Sequence, residues 1–233
     1  MYPMPSEEIQ RDFTGRSGES TMAQAREFYS LVRSYALDPQ AVLDFGCGWG
    51  RITRCALEHL PTERITGCDP IPEMIALCRR MLPCRFIQID PLPPSPFDSA
   101  SFDLIYAYSV FSHLSEAAAN AWIAEFKRIL SPGGTLVITT RGDDFIPKFA
   151  TLPNFNRIQE EAIATLIEGY KRGDFIHVAS AGGYNLSDSF YGETAIPVAY
   201  IEKNWPLKLI DWIQGLTPHV DQYIAVLRAQ DEL

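Results

Sequence analysis

The sequence predicts an α/β protein with a doubly wound, mostly parallel sheet, and three observations support this prediction. Strand-like and helix-like segments alternate between about residues 40 and 140, which is typical of a parallel sheet covered on both faces. Three glycines at alternate positions follow the first predicted strand and lead directly into a helix. The 233 residues are enough for one large domain with a substantial core.

The elements are predicted from apolar periodicity and from turn residues. A helix at 22–36 precedes the sheet, because apolar residues recur there at helical spacing. The alternating part contains predicted strands at 41–45, 64–68, 85–89, 102–108 and 135–140, and predicted helices at 51–60, 72–81 and 115–130. The sequence Ser131-Pro132-Gly133-Gly134 turns the chain into the fifth strand.

The alternation stops after Arg141. A further amphipathic helix is predicted from the spacing of Ile158, Ala162, Leu166, Ile167 and Tyr170. A polar, glycine-bearing stretch at 173–193 follows, and a long irregular segment of this kind is usually a lid or a binding loop. A short helix at 197–204 and two strands at 207–213 and 223–228 complete the chain.

The composition limits which kinds of molecule the protein is expected to bind. The net charge is −9, from 20 basic and 29 acidic residues, and no basic stripe is visible, which disfavours a nucleic-acid substrate. No apolar run approaches the roughly 18–20 residues needed to span a bilayer, and the first ten residues do not have the pattern of a secretory signal. Five cysteines without a C-x-x-C pair are expected to be buried and free. A cytoplasmic protein with a small-molecule partner is therefore expected.

The loop after the first strand carries the most information. Asp44 ends the strand, and Gly46, Gly48 and Gly50 follow it at alternate positions. Glycines allow a tight turn and a close approach of the backbone to a ligand. The G-x-G-x-G spacing differs from the G-x-G-x-x-G of dinucleotide-binding loops. Asp44 would repel a phosphate, but it can receive an α-ammonium group directly or through water.

This segment resembles the first motif of the class I S-adenosylmethionine-dependent methyltransferases, an acid followed by G-x-G-x-G. The resemblance covers about residues 11–230 in fold, with its specific motifs between residues 42 and 140. It implies a Rossmann-like domain with a seven-stranded sheet whose last strand is antiparallel. It also implies S-adenosyl-L-methionine as the cofactor and S-adenosyl-L-homocysteine as the product.

The resemblance implies the cofactor-binding positions. Asp69 ends the second strand, and its two oxygens suit the ribose cis-diol. Ile71 would form an apolar wall beside the adenine, with Met74 as a second candidate. Asp90 would contact the adenine amino group, although Asp before Pro is equally typical of a turn. The full set is Asp44, Gly46, Cys47, Gly48, Gly50, Asp69, Pro70, Ile71, Asp90 and Ser109.

The residues that would bind and activate the methyl acceptor are less clearly defined by the sequence. His113, just after the fourth strand, is the first candidate general base, and a partly buried structural histidine is the alternative. His177, Tyr191 and Glu193, in the polar stretch, are candidate acceptor-binding residues. No metal site is expected, because the residues after the fourth strand, Tyr106-Ala107-Tyr108-Ser109, offer no carboxylate.

The overall prediction is one methyltransferase domain over residues 1–233, with an N-terminal cap at 1–38 and a lid or acceptor-binding insertion at 141–193. Phe13–Gly18 and Tyr191–Glu193 resemble a bacterial subgroup linked to methylation of glycans and natural products. We expect methyl transfer to a small-molecule or glycan-like acceptor at oxygen, by a monomer or a homodimer. The alternatives are a nicotinamide-dependent oxidoreductase, a non-catalytic nucleoside-binding relative, and an enzyme that uses the same cofactor for other chemistry.

Overall fold

The computed structural model of the chain describes residues 2–151, 160–184 and 186–230. Its helices are α1 (Glu7–Thr14), α2 (Glu19–Tyr35), α3 (Arg51–Ala56), α4 (Pro72–Met81), α5 (Glu116–Ile129), α6 (Glu160–Arg172) and α7 (Val198–Asn204). Its strands are β1 (Val42–Phe45), β2 (Ile65–Asp69), β3 (Arg85–Gln88), β4 (Phe102–Ala107), β5 (Leu130–Thr140), β6 (Ile176–Ala179), β7 (Gly192–Ala195), β8 (Lys208–Gln214) and β9 (Tyr223–Arg228). No helix in the described part of the chain is both long and apolar enough to cross a bilayer.

Seven strands form one sheet in the order β3-β2-β1-β4-β5-β9-β8. The pairs from β3 across to β5 are parallel, whereas β9 is antiparallel to both β5 and β8. The predicted seven-stranded, mostly parallel sheet with an antiparallel last strand is therefore confirmed. The strand order reverses between β1 and β4, and in sheets of this type the crevice at such a reversal binds the ligand.

The central strands are buried on both faces, and their side chains alternate between two apolar layers. Val42, Leu104 and Tyr106 pack on one face in a cluster with α2 and α3. Leu43 and Ile105 pack on the other face against α5. Continuous apolar runs are what a parallel sheet covered by helices requires. These layers fix the carboxyl ends of β1 and β4 side by side.

The N-terminal segment contains a helix that the sequence pattern does not predict. The Ser6 side chain caps α1, and Gly15 ends the helix at φ 65°. Ile9 and Phe13 of this segment pack against a cluster around Trp49 and Ile71, next to the glycine loop. The following helix, α2, begins at Glu19 rather than at residue 22. α1 is stabilised by this tertiary contact, since an isolated helix of eight residues is not stable in water.

The stretch predicted to be irregular also contains regular structure. β6 and β7 form an antiparallel pair in which His177 lies opposite Thr194. β7 is hydrogen-bonded to the segment after β4, because the Gly192 amide donates to the His113 carbonyl at 2.8 Å. The helix predicted in this region is α6, and Ile158 lies outside the described residues. The insertion is thus attached directly beside the carboxyl end of β4.

The fifth strand begins earlier than predicted. Leu130 already pairs with Phe102, and the register then shifts before Leu104 pairs with Thr135. The turn sequence from Ser131 to Gly134 is therefore accommodated as an irregularity within β5, with Gly133 at φ 73°.

Candidate active site

A cavity of about 220 Å³ opens at the carboxyl ends of β1, β2 and β4, where the strand order reverses. It brings together most of the residues singled out from the sequence: Asp44, Gly46, Cys47, Gly48, Asp69, Pro70, Ile71, Asp90, Ser109, His113 and Tyr191. We call it the cofactor cavity. Gly50, His177 and Glu193 do not line it.

The loop between β1 and α3 is built around positive backbone angles. Gly46, Gly48 and Gly50 have φ values of 70°, 52° and 77°, a region that favours glycine. A Cβ on Gly46 would lie 2.4 Å from Cγ2 of Val110, whereas one on Gly48 would meet nothing closer than 3.8 Å. Gly50 does not face the cavity; it sits at the start of α3 and packs against Leu82. The loop backbone can therefore approach a ligand closely.

Asp69 holds the loop and the end of β2 together. Its Oδ2 accepts a hydrogen bond from the Gly48 amide at 2.8 Å, and its Oδ1 accepts one from the Ile71 amide at 2.9 Å. Burial raises the pKa of this carboxyl to about 6, against the lowering effect of these two bonds. Each oxygen has a further lone pair, so the carboxylate can still accept two hydroxyl groups such as a cis-diol.

Asp44 is a buried carboxyl on the floor of the cavity. The Thr53 hydroxyl donates to its Oδ2 at 2.5 Å, and burial raises the pKa of Asp44 to about 7. A cationic group brought against this carboxylate would offset its desolvation. The Nε1 of Trp49, another buried wall residue, has no hydrogen-bond partner among the residues that the structure describes. Both features suit a bound ligand that carries an ammonium group and hydrogen-bond acceptors.

The opposite end of the cofactor cavity combines apolar and exposed groups. Ile71 is a buried wall residue, and Asp90 is exposed at the rim. Met74 packs instead with Trp49 in the cluster beneath the loop and does not line the cavity. An adenine ring would therefore meet Ile71 but not Met74.

Ser109 stands where β4 ends, with an unusual backbone conformation for a residue other than glycine, φ 59°. Two side chains hold it there. Its amide donates to the Thr139 hydroxyl at 2.7 Å, and the Gln222 amide donates to its Oγ at 2.9 Å. Left-handed residues of this kind cluster at functional sites because the surrounding structure must impose them.

His113 lines the cavity and is held by the insertion. Its Nδ1 lies 2.8 Å from the Gly192 carbonyl, which can only accept, so Nδ1 carries the proton and Nε2 holds the lone pair. Nδ1 is also 3.5 Å from Oε1 of Glu193. The imidazole stacks on the ring of Tyr191 with centroids 4.9 Å apart. Burial, together with the charge of Arg141, lowers the pKa of His113 to about 3.

The other two candidates from the insertion lie behind this wall. Glu193 forms an ion pair with Arg141. His177 Nδ1 lies 2.8 Å from the hydroxyl of Thr194, and its Nε2 is buried without a hydrogen-bond partner in the structure. Both residues support the segment that carries His113 and Tyr191. Direct contact with an acceptor remains a prediction for them.

Several wall residues were not singled out from the sequence. Phe13 and Thr14, at the end of α1, close one side of the cavity, and Leu186 and Phe190 of the insertion close another. Phe13 and Thr14 belong to the stretch Phe13–Gly18, which resembles a bacterial subgroup. This resemblance was the only indication in the sequence that the two residues lie near the site. Arg51, the first residue of α3, also faces the cavity.

Proteins that are similar to this chain include named methyltransferases. A family model described as a methyltransferase domain matches residues 42–134. Trans-aconitate 2-methyltransferase of Acidovorax ebreus (strain TPSY) is 28% identical over 204 residues, which cover 82% of this chain and 73% of the relative. Malonyl-[acyl-carrier protein] O-methyltransferase of Paenibacillus sp. (strain JDR-2) is 36% identical over 179 residues, covering 74% of this chain and 60% of the relative.

A solved structure of a protein from Pyrococcus horikoshii OT3 has the same fold. It superimposes with a TM-score of 0.68 at 16% identity and covers 97% of this chain and 100% of that one.

Proposed function

We propose that this chain, a class I S-adenosylmethionine-dependent methyltransferase, methylates a small-molecule or glycan-like acceptor at oxygen, by direct in-line displacement and without a metal. The observation that carries the proposal is the position of His113, which lines the same cavity as the glycine loop and whose Nε2 holds a lone pair. Membership in this family sets aside the nicotinamide-dependent oxidoreductase.

The residues of the cofactor cavity fit the parts of S-adenosylmethionine. Asp69 would hold the ribose hydroxyls, Ile71 the adenine face and Asp90 its amino group. Asp44 would receive the α-ammonium group, and Ser109 would lie beside the methionine chain. Pro70 and the backbone of Gly46, Cys47 and Gly48 would complete the wall. When bound, the cofactor supplies a methyl group made electrophilic by the sulfonium, so the protein mainly has to align the acceptor.

The state of His113 favours an oxygen acceptor. A protonated amine must lose its proton before it can attack, and an imidazole with a pKa of about 3 cannot remove that proton at neutral pH. A carboxylate needs no base. A hydroxyl becomes acidic enough to give up its proton to a weak base only as the methyl group arrives. Two of the relatives also have oxygen or carboxylate acceptors in their names.

In this proposal, the N-terminal cap and the insertion both cover the site of methyl transfer. Phe13 and Thr14 from the N-terminal cap, and Tyr191 from the insertion, form walls of the cofactor cavity. Covering the site in this way excludes water, which would otherwise solvate the nucleophile. The absence of carboxylates directly after β4 supports a reaction without a metal. A cytoplasmic location and a monomer or homodimer remain the expectation.

The test is to identify the methylated atom. The protein is incubated with S-adenosylmethionine labelled with carbon-13 on the methyl group and with pools of small hydroxyl, carboxyl and amino compounds, and the products are followed by NMR. We expect a new O-methyl ether or ester signal that appears only with acceptors from the first two pools. A new N-methyl signal as the main product would contradict the proposal.

A further inference from the structure

We propose that the acceptor carries an anionic oxygen group, a carboxylate or a phosphate, and that Arg16, Arg51 and Lys148 bind this group in a second cavity beside the cofactor cavity. The inference rests on the proposed methyl transfer to a small acceptor. It adds the chemical class of the acceptor and the residues that select it.

The second cavity has a volume of about 340 Å³ and adjoins the first. The two cavities share the wall residues Phe13, Thr14, Arg51, Tyr108 and Ser109. Arg16, Arg141 and Lys148 line only the second cavity. We call it the cationic cavity. An acceptor held there would lie next to Ser109, a wall residue of the cofactor cavity.

Three of the four cations that line this cavity form no ion pair with the residues that the structure describes. Arg141 is paired with Glu193, and its guanidinium lies 3.8 Å from the ring centroid of Phe145. Arg16 and Lys148 have no ion-pair partner among the residues that the structure describes. The chain as a whole has a net charge of −9, so a cluster of cations around a single cavity is not a property of the general surface.

Arg51 is the residue that most strongly supports anion binding in the cationic cavity. Only 8% of the residue is exposed, and within the described part of the chain it has no carboxylate partner. Its guanidinium donates to the side-chain oxygen of Gln24 and lies 4.9 Å from the ring centroid of Tyr108. Asp44 attracts this guanidinium from beyond ion-pair distance, yet burial still lowers the pKa of Arg51, so an anion entering the cavity would compensate the buried charge further. The two adjacent N–H edges of a guanidinium match the oxygens of a carboxylate or a phosphate.

Two acidic residues also line the cationic cavity, but they occupy a different place. Asp144 and Asp221 are both exposed, so water solvates their charges, whereas Arg51 is buried. An anion that reaches Arg51 is therefore attracted at the depth of the cavity and repelled weakly at its rim. The exposed acids can accept hydrogen bonds from hydroxyl groups of the acceptor, since carboxylates are strong acceptors.

The test is calorimetric titration of citrate, and separately of inorganic phosphate, into the protein saturated with S-adenosylhomocysteine. We expect at least one of the two anions to bind. Arg16→Gln and Lys148→Gln should each weaken this binding by about tenfold, because each removes a charged hydrogen-bond donor. The matched controls Arg80→Gln and Lys127→Gln remove exposed cations outside both cavities and should leave anion binding unchanged.

The outcomes separate this inference from the proposed function. Binding of citrate alone would support a carboxylate acceptor, and binding of phosphate alone a phosphorylated one. No binding of either anion, or equal losses in the control variants, would overturn the inference while leaving methyl transfer intact. A loss of S-adenosylhomocysteine affinity in Arg16→Gln and Lys148→Gln would also overturn it, because these cations would then serve the cofactor. Lys148 is exposed, so its variant remains informative if Arg16→Gln does not fold.

Discussion

Replacing Asp69 by asparagine should remove most of the affinity for the cofactor nucleoside. In the free protein, each oxygen of Asp69 accepts one backbone amide and keeps a second lone pair for a ribose hydroxyl. Asparagine has one acceptor oxygen, and its NH₂ group would face a backbone N–H donor. Hydrogen bonds to a charged group contribute about 1.5–3 kcal/mol each, so losing one of them should cost about 1.5–3 kcal/mol. This corresponds to a roughly 12- to 140-fold rise in the dissociation constant.

The assay is calorimetric titration with S-adenosylhomocysteine, with NAD⁺ as a parallel ligand that should not bind. Asp90→Asn is the matched control, because Asp90 is exposed at the rim and its single contact to the adenine should cost less than about tenfold. If Asp69→Asn binds within about threefold of the unmodified protein, the assignment of Asp69 to the ribose is wrong.

Three further predictions concern the same cavity. Because burial raises the pKa values of Asp44 and Asp69 to about 7 and about 6, both carboxyls should stabilise the ligand-free fold at acid pH, and this contribution should be lost as the pH rises through these values. The affinity for S-adenosylhomocysteine should change in the opposite direction and weaken below about pH 7, because the two carboxyls become protonated there. Calorimetric titrations at several pH values would check this. Gly46→Ala and Gly48→Ala should each lose about 1–2 kcal/mol of unfolding free energy from backbone strain. Only Gly46→Ala should lose roughly 1–3 kcal/mol more from its steric clash, and equal urea midpoints would refute this difference. His113→Gln should lower kcat for a hydroxyl acceptor about 100-fold with unchanged S-adenosylhomocysteine affinity, and full turnover would exclude a proton-accepting role.

The central sheet and the glycine loop could be predicted from local patterns. Strand β1 is a short apolar run that ends in Asp44, and the three glycines after it all have positive φ. Each of these features depends only on residues that are neighbours in the sequence, so a single sequence is enough to recognise them. The number of strands and the antiparallel last strand followed from the family resemblance rather than from the residues of any one strand.

The N-terminal helix could not be predicted in the same way. α1 has only Gln10 buried among its own residues, and its apolar contacts are made across to the cluster that contains Trp49. Its stability therefore depends on a surface that forms elsewhere in the fold. The same holds for β6 and β7, where the pairing of His177 with Thr194 joins two short segments on either side of a polar stretch.

The environment of His113 is the part of the candidate site that depends most on tertiary structure. The sequence placed His113 just after the fourth strand, but its proton position is set by the Gly192 carbonyl and its low pKa by burial and by Arg141. Arg141 and Glu193 form an ion pair across the insertion, far apart in sequence. No local spacing relates these residues, so their arrangement could be found only in the folded chain.

The most direct test of the central claim is a crystal structure of the complex with S-adenosylhomocysteine. We expect the ribose hydroxyls within hydrogen-bonding distance of Asp69, the α-ammonium group next to Asp44, and the sulfur facing the part of the cavity that contains Ser109 and His113. A nucleoside bound elsewhere, or a sulfur turned away from His113, would contradict the account of how this cavity positions a methyl group for transfer.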